Sequence, residues 1–250
     1  MKNLFGEKVY KVTLDAGFSC PNRDGTLSDA GCIFCDDSGS FSRLYSNMLP
    51  ITEQLHIGMS KIKDRYHAKK FLAYFQAYTN TYKPVDELKQ IYDQVFIDDV
   101  VGMSIGTRPD CVDEQKLDLI ASYGTNNRFI QVEYGIQSVH DKTLKFINRG
   151  HDFACFEKAC KLSKERGLKI CAHVILGLPN ESHEDMMQTA KTLASMGIDG
   201  IKIHMLAVME GTKIHQMFND GKIRLMEEDE YINTVCDFME LLPPDMVIQR

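Results

Sequence analysis

The sequence predicts an α/β fold, a partial (β/α)6 barrel, because six apolar β-rich runs alternate with amphipathic helical stretches. Regular alternation of this kind favours parallel strands joined by right-handed crossovers, which curl the sheet. The strands are predicted at residues 9–14, 70–77, 100–105, 129–135, 169–176 and 200–205. The helices are predicted at residues 51–66, 85–96, 112–123, 152–166, 182–196 and 227–241.

Local signals support the elements in turn. The run CAHVILGL at residues 171–178 is apolar throughout, which is typical of a strand covered on both faces. Asn180 or Ser182 is a suitable cap for the helix at 182–196, whose first turn is acidic. Gly167 and Gly197 follow two helix ends, where a left-handed residue is common. We therefore expect six βα units.

The six units end near Leu242, so residues 1–242 are predicted to form the partial barrel. Residues 243–250, with the sequence PPDMVIQR, begin what reads as another strand. We expect them to be the truncated start of a C-terminal extension. No linker or low-complexity segment interrupts the chain.

Composition narrows the classes of protein. The chain has 250 residues, 44% hydrophobic and 26% charged, with a net charge of −6. No secretory signal or membrane-spanning run is present, so we expect a cytoplasmic protein with no membrane partner. In that compartment its eight cysteines are more often metal ligands, catalytic groups or core residues than disulfides.

A long loop after the first strand carries Cys20, Cys32 and Cys35. Its Gly, Asp, Asn and Pro content indicates a loop at the carboxyl edge of a strand, where barrel enzymes place their chemistry. Three thiolates suit an iron–sulfur cluster whose fourth iron binds an external ligand. Two alternatives remain at this point. A structural zinc ion needs a fourth ligand, and a Cys32/Cys35 redox pair leaves Cys20 unexplained.

Four further motifs lie at or just after predicted strand ends. They are GTRPD at 106–110, VEYGIQS at 132–138, INRGH at 147–151 and VILGLP at 174–179. Together with the three cysteines and the neighbouring Phe34, they resemble the radical S-adenosylmethionine (SAM) superfamily. Eleven residues separate Cys20 from Cys32. That spacing is longer than the superfamily's commonest one and resembles the elongator catalytic subunit and the uncharacterised bacterial proteins grouped beside it.

The resemblance implies a radical SAM barrel whose cofactors are a [4Fe–4S] cluster and SAM. The cluster ligands would be Cys20, Cys32 and Cys35. Reductive cleavage of SAM would give a 5′-deoxyadenosyl radical that abstracts hydrogen from the substrate. In such enzymes the cofactor supplies the difficult chemistry, and the protein orients it.

The resemblance also assigns contacts with SAM. Phe34 would lie against the adenine, and Gly177 would let the backbone approach it. The SAM amino group would meet the segment of Gln76, Ala77 and Thr79, where relatives have glycines and this chain has none.

Polar residues on later strands would complete the site. Glu133 would pair with the SAM ammonium or with Lys202, and His173 would contact the ribose. Lys202 and His204 alternate inward on the sixth strand and would line the substrate side. Gln137 and Arg149 would hold the SAM carboxylate, which suits the bidentate geometry of a guanidinium. Arg108 and Asp110 are expected to form a salt bridge at the rim.

The elongator-like resemblance implies modification of the C5 side chain of a tRNA wobble uridine, for instance carboxymethylaminomethyl to aminomethyl. Two alternatives stay open: a radical SAM enzyme for a small metabolite, and a non-catalytic zinc-stabilised binding protein. Reduced flavodoxin or ferredoxin is the implied electron donor. Two basic stretches, at residues 61–70 and 158–169, are candidates for contact with tRNA phosphates.

Overall fold

The computed structural model describes residues 1–36, 49–125 and 127–249. Seven parallel strands form one sheet in sequence order, curled into a half-barrel. The strands are β1 (Val9–Leu14), β2 (Lys70–Phe75), β3 (Val100–Thr107), β4 (Phe129–Gln137), β5 (Lys169–Leu176), β6 (Gly200–Met205) and β7 (Val247–Ile248). The predicted α/β class and the partial barrel are confirmed.

Helices connect the strands and cover the outside of the sheet. They are α1 (Lys2–Phe5), α2 (Ile51–Tyr66), α3 (Val85–Tyr92), α4 (Glu114–Ser122), α5 (Asp141–Phe146), α6 (Phe153–Glu165), α7 (His183–Ser195), α8 (Lys213–Asn219) and α9 (Glu228–Glu240). Short 3-10 turns occupy Asp93–Val95 and Pro109–Cys111. All six predicted helices are present. The helices α1, α5 and α8 were not predicted, because elements of seven residues or fewer show little periodicity.

Element ends follow local hydrogen bonds. Ser182 caps α7 in a reciprocal capping box with Asp185, as its sequence suggested. The predicted strand at 70–77 is too long by two residues, since β2 ends at Phe75. Beyond it the chain leaves the sheet, and the backbone N–H of Thr79 donates to Ser19 O at 3.3 Å.

Contacts across the inside of the sheet show how strongly it curls. Neighbouring strands lie about 4.8 Å apart, so β2 and β6 would be roughly 19 Å apart in a flat sheet. Nevertheless Lys202 Nζ on β6 lies 2.9 Å from the Tyr74 hydroxyl on β2. Lys11 Nζ on β1 reaches Gln249, just after β7, at 2.9 Å. The two edges of the sheet therefore approach each other around a polar interior.

The C-terminal residues add a short strand to the sheet. In β7, Val247 and Ile248 pair with Gly200 and Ile201 of β6. The predicted boundary at residue 242 stays a prediction, and residue 250 lies outside the described residues. Among the described residues, no helix is long and apolar enough to cross a membrane.

Candidate functional site

A cavity of about 680 Å³ lies inside the half-barrel towards the carboxyl ends of the strands. Its volume is within the roughly 300–1,000 Å³ that is usual for small-molecule sites. The predicted site residues that line it are Cys20, Cys32, Phe34, Cys35, Gln76, Thr79, Glu133, Gln137, Arg149, His173, Lys202 and His204. Residues predicted one by one from different motifs are thus brought to one chamber.

Two predicted residues do not line this cavity. Ala77 is buried beside it. Gly177, with φ 83°, lines a separate cavity of about 600 Å³. A Cβ on Gly177 would lie 2.9 Å from Met226 Sδ, so the close approach that this glycine permits is to a methionine. The fold gives no support to a contact between Gly177 and a ligand in the main cavity.

The cysteine loop, residues 20–35, is fastened to the segment after α5 by side-chain amides. Asn22 Nδ2 donates to Asn148 O at 2.6 Å, and Asn148 Nδ2 donates to Gly31 O at 2.7 Å. The backbone N–H of Ile33 donates to Ile147 O at 3.1 Å. These bonds take the place of the backbone hydrogen bonds that a strand would make with its neighbour. They hold the loop at the cavity that the three thiols line.

Cys32 is the buried member of the three cysteines, and two side chains donate to its sulfur. Arg149 Nη1 lies 3.4 Å and Asn22 Nδ2 lies 3.6 Å from Cys32 Sγ. The rest of the Arg149 guanidinium donates to Gly135 O, with Nε at 3.1 Å. A cation and an amide directed at a sulfur suit a cysteine that binds a metal, because they offset the negative charge of the metal-bound group.

Arg108 supplies a second buried cation near the thiols. Its guanidinium donates to both oxygens of Asp110, at 2.9 and 2.7 Å, which confirms the predicted salt bridge. Burial lowers the pKa of Arg108, but the hydrogen bond and charge of Asp110 raise it above its ordinary value. Among the described residues, the buried Nη1 of Arg108 has no hydrogen-bond partner. A donor in that state suits an anionic neighbour.

A second polar group lies mid-strand inside the barrel, and we call it the Glu133 cluster. It consists of Glu133, Lys11, Lys202, His173 and Tyr74. Lys11 Nζ donates to Glu133 Oε1 at 2.8 Å, while His173 Nε2 lies 2.9 Å from Oε2. Lys202 Nζ also donates to Oε2, as the sequence suggested. The carboxylate is therefore held from both sides.

Electrostatics keep this carboxylate ionised. Burial alone would raise the pKa of Glu133, but the hydrogen bond and charge of His173 and the charges of the two lysines hold it well below its usual range. Burial lowers the pKa of His173, although Glu133 opposes that shift. Burial likewise lowers the pKa of Lys202.

Two more cavity residues have constrained positions. Gln137 lies at a bulge of β4 with φ 75°, a left-handed conformation that is uncommon for a residue other than glycine. The rings of His173 and His204 contact each other with centroids 5.4 Å apart. Gln137, His173 and His204 thus bring side chains of β4, β5 and β6 to the same cavity that the cysteines line.

Lys11, Tyr74, Ser104 and Asn22 are residues of the site that sequence reasoning missed. Ser104 Oγ donates to Glu133, and Asn22 reaches Cys32. A lysine in the middle of the first strand was a usable signal for Lys11, because a charged residue inside a barrel needs a partner. No signal marked Asn22, since asparagine is common in any loop.

The donor set fits a cluster better than a single ion. In the described ranges, no three His, Cys, Asp or Glu side chains are grouped so that they could hold one metal ion. In an iron–sulfur cube each protein thiolate binds a different iron, so the cysteines are spaced apart instead of meeting at a single ion. Three cysteines that line one cavity, with donors to Cys32, suit such a cube.

Comparison with known proteins identifies the family of the chain. The profile of the Radical SAM superfamily matches residues 20–193, and that of the Radical SAM C-terminal domain matches residues 198–250. The chain is 44% identical over 253 residues to the uncharacterized protein MJ0486 of Methanocaldococcus jannaschii, covering 100% of this chain and 77% of that protein. It is 40% identical over 251 residues to the uncharacterized protein YtqA of Bacillus subtilis, covering 100% of this chain and 78% of that protein.

More distant matches reach proteins with described activities. The tRNA uridine(34) acetyltransferase of Methanocaldococcus infernus is 31% identical over 146 residues, which span 57% of this chain and 27% of that protein. The solved structure of M. infernus Elp3 matches with a TM-score of 0.72 at 21% identity, over 97% of this chain and 57% of that one. Escherichia coli coproporphyrinogen III oxidase gives 0.60 at 16% identity, over 93% of this chain and 51% of that one. These two structures share the fold.

A parallel half-barrel with three thiols at its cavity defines an α/β enzyme of the iron–sulfur class. The chain belongs to the radical SAM superfamily. Its cofactors are accordingly a [4Fe–4S] cluster and SAM, and it needs an electron donor.

Proposed function

We propose that the chain cleaves SAM reductively at a [4Fe–4S] cluster held by Cys20, Cys32 and Cys35, and thereby modifies the C5 side chain of a tRNA wobble uridine. The observation that supports the first part is the thiol-lined cavity with Arg149 and Asn22 donating to Cys32. The bound cofactors supply one-electron cleavage of SAM and hydrogen abstraction from the substrate.

The protein's own residues hold and orient these groups. Phe34 and His173 line the cavity and would contact the adenosine, while Gln76 and Thr79 would face the SAM amino group. Gln137 and Arg149 would share the SAM carboxylate. Because Nε and Nη2 of Arg149 already donate to Gly135 O, we propose that Gln137 makes the larger contribution to that contact.

Sequence similarity supports a tRNA substrate more strongly than the surface charge of the protein does. The tRNA uridine(34) acetyltransferase of M. infernus shares its matched region with this barrel. Transferred to this chain, the likeness suggests conversion of carboxymethylaminomethyluridine to aminomethyluridine, in the cytoplasm and with reduced flavodoxin or ferredoxin as donor.

The basic stretches contribute less to this proposal than their sequence suggested. Lys63 pairs with Asp99 at 2.8 Å, and Lys169 pairs with Asp199 at 2.7 Å. Arg166 contacts Asp118 at 2.6 Å. Such paired surface charges attract phosphates less strongly than unpaired ones. We therefore place the specificity for the nucleoside inside the cavity.

The test is anaerobic purification with iron and sulfide analysis, followed by reduction with dithionite in the presence of SAM. We expect about four irons per chain and formation of 5′-deoxyadenosine, both lost in Cys32→Ala and retained in Cys236→Ala. Intact SAM with the full iron content would contradict the enzymatic proposal. Incubation with tRNA that carries carboxymethylaminomethyluridine, followed by nucleoside mass analysis, tests the substrate. Formation of 5′-deoxyadenosine without a change in the tRNA would support the cleavage of SAM and reject tRNA as the substrate.

A further inference from the structure

The Glu133 cluster contains more positive than negative charge. Lys11 contacts Oε1 and Lys202 contacts Oε2 of the same carboxylate. In the part of the chain that the structure describes, Glu133 is the one acid that either ammonium contacts within salt-bridge distance. His173 adds no compensating negative charge. Among the described residues, the Glu133 cluster is therefore left with one uncompensated cation.

The excess charge lies on the cavity side. Lys202 and Glu133 line the cavity, whereas Lys11 does not. The Lys202 side chain is 8% exposed and that of Lys11 is 32% exposed, so Lys11 keeps partial contact with solvent. Because Lys11 already neutralises Glu133 from the far side, the carboxylate does not cancel the charge that Lys202 presents to the cavity.

Lys202 also retains hydrogen-bonding capacity. An ammonium has three N–H donors. Two of them are taken by Glu133 and by the Tyr74 hydroxyl at 2.9 Å. The Tyr74 ring lies under the same ammonium, with Nζ 4.2 Å from its centroid. Among the residues that the structure describes, these two contacts leave one N–H donor of the Lys202 ammonium for a ligand. A buried cation with a spare donor is suited to an anion.

We propose that Lys202 is the centre of a carboxylate-binding subsite, with Glu133, Lys11 and Tyr74 as its positioning residues. The carboxylate that binds there belongs to the substrate. The identity of that substrate rests on the proposed function. The carboxymethylaminomethyl side chain ends in a carboxylate, and the aminomethyl product has lost it. Lys202 would therefore attract the substrate and repel the cationic product, which selects the substrate and assists release.

The first experiment measures the subsite without any assumption about tRNA. Anaerobically reconstituted full-length protein, without reductant, is titrated with acetate and with acetamide by saturation-transfer NMR. We expect saturable acetate binding that Lys202→Met weakens at least tenfold, with little binding of acetamide. Lys191→Met, an exposed lysine of α7, is the matched control and should match the wild type. Equal acetate binding in wild type and Lys202→Met would overturn the proposal.

Two further variants test the charge argument. Lys11→Met removes a cation that does not line the cavity. It should nevertheless weaken acetate binding several-fold, because Glu133 then cancels the charge of Lys202. An unchanged affinity would contradict the positioning role of Lys11. Lys202→Met leaves Glu133 paired with Lys11 and His173, so it should fold. The double variant Lys202→Met/Glu133→Gln removes both charges, and it should fold without binding acetate.

The last experiment distinguishes a carboxylate of the substrate from the carboxylate of SAM. The unreduced protein with SAM is titrated with 5-carboxymethylaminomethyluridine and with its methyl ester. A tenfold to hundredfold preference for the acid, lost in Lys202→Met and largely kept in Lys202→Arg, supports the substrate. A loss of SAM affinity in Lys202→Met without any preference for the acid would assign the subsite to SAM and overturn the substrate assignment. Acid preference without conversion of tRNA would uphold the subsite and reject the proposed function alone.

Discussion

The cysteine loop and the Glu133 cluster both contribute side chains to the same cavity, but different parts of the fold hold them in place. The loop is irregular and is fastened by amide side chains such as Asn22 and Asn148. The Glu133 cluster stands on strands, and its ion pairs join β1, β4 and β6 across the barrel. We therefore expect that the ligands of the loop can change without a change in the fold, whereas the Glu133 cluster maintains both the fold and the site.

The largest expected effect is the loss of iron when a cysteine of the loop is replaced, which a change in the Glu133 cluster should not cause. Cys20→Ala, Cys32→Ala or Cys35→Ala should each lose most of the iron, because each removes one of three thiolates. The thermal midpoint of the metal-free protein should change little, because each variant removes a single sulfur atom and leaves the bonds that fasten the loop in place. Iron analysis and calorimetry measure both. Cys236→Ala, on an exposed position of α9, is the control, and full iron in Cys20→Ala would remove that residue from the ligand set.

The opposite pattern is expected for Glu133→Gln. Removing the carboxylate leaves Lys11 and Lys202 close together inside the barrel, and breaking a buried ion pair costs about 3–5 kcal/mol. Urea unfolding should show that loss while the iron content per folded chain stays near that of the wild type. Glu184→Gln, in an exposed pair with Lys191, should cost about 0.5 kcal/mol or less. A Glu133→Gln protein as stable as the wild type would show that the cluster does not maintain the fold.

Acid titration sharpens this contrast. The pKa of Glu133 is lowered in the folded protein, and an unfolded glutamate has a pKa of about 4.3. The stabilisation is therefore complete above that value and is lost as pH falls from it towards the folded pKa. The advantage of the wild type over Glu133→Gln in unfolding free energy should shrink between about pH 5 and pH 3. An advantage that stays constant over this range would show that ionisation of Glu133 does not stabilise the fold.

Sequence could predict the loop better than the Glu133 cluster, for physical reasons. Cys20, Cys32 and Cys35 are close in sequence, so their spacing alone indicates a shared site. Glu133 and Lys11 are 122 positions apart, and their contact depends on how far the sheet curls. Alternation gave the inward direction of Lys202 but could not give the opposing Lys11. The limits of β2 and the contact of Gly177 with Met226 likewise depend on tertiary packing that no local pattern encodes.

A smaller effect is expected where the loop is fastened. Asn148 has φ 53° and donates to Gly31 O at 2.7 Å. Asn148→Ala loses that bond and strains the backbone, so it should loosen the loop by about 1–3 kcal/mol. Asn148→Gly loses the bond alone and should be intermediate. The measurement is the rate of iron release to a chelator, which should rise about tenfold for each 1.4 kcal/mol. Wild-type rates in both variants would mean that this bond does not hold the loop.

The smallest expected effect concerns the charge on Arg149. Its Nη1 lies 3.4 Å from Cys32 Sγ, so the guanidinium offsets negative charge that increases when the cluster is reduced. Arg149→Gln should lower the midpoint potential by some tens of millivolts, since about 59 mV corresponds to a tenfold change for one electron. Arg149→Lys keeps the charge and should fall between the two. Redox titration without SAM makes the measurement, because SAM binding by Arg149 then has no influence. An unchanged potential in Arg149→Gln would show that Arg149 acts on SAM and not on the sulfur. The charges around the cysteine loop would then not influence its cofactor, in contrast to the charges that hold Glu133.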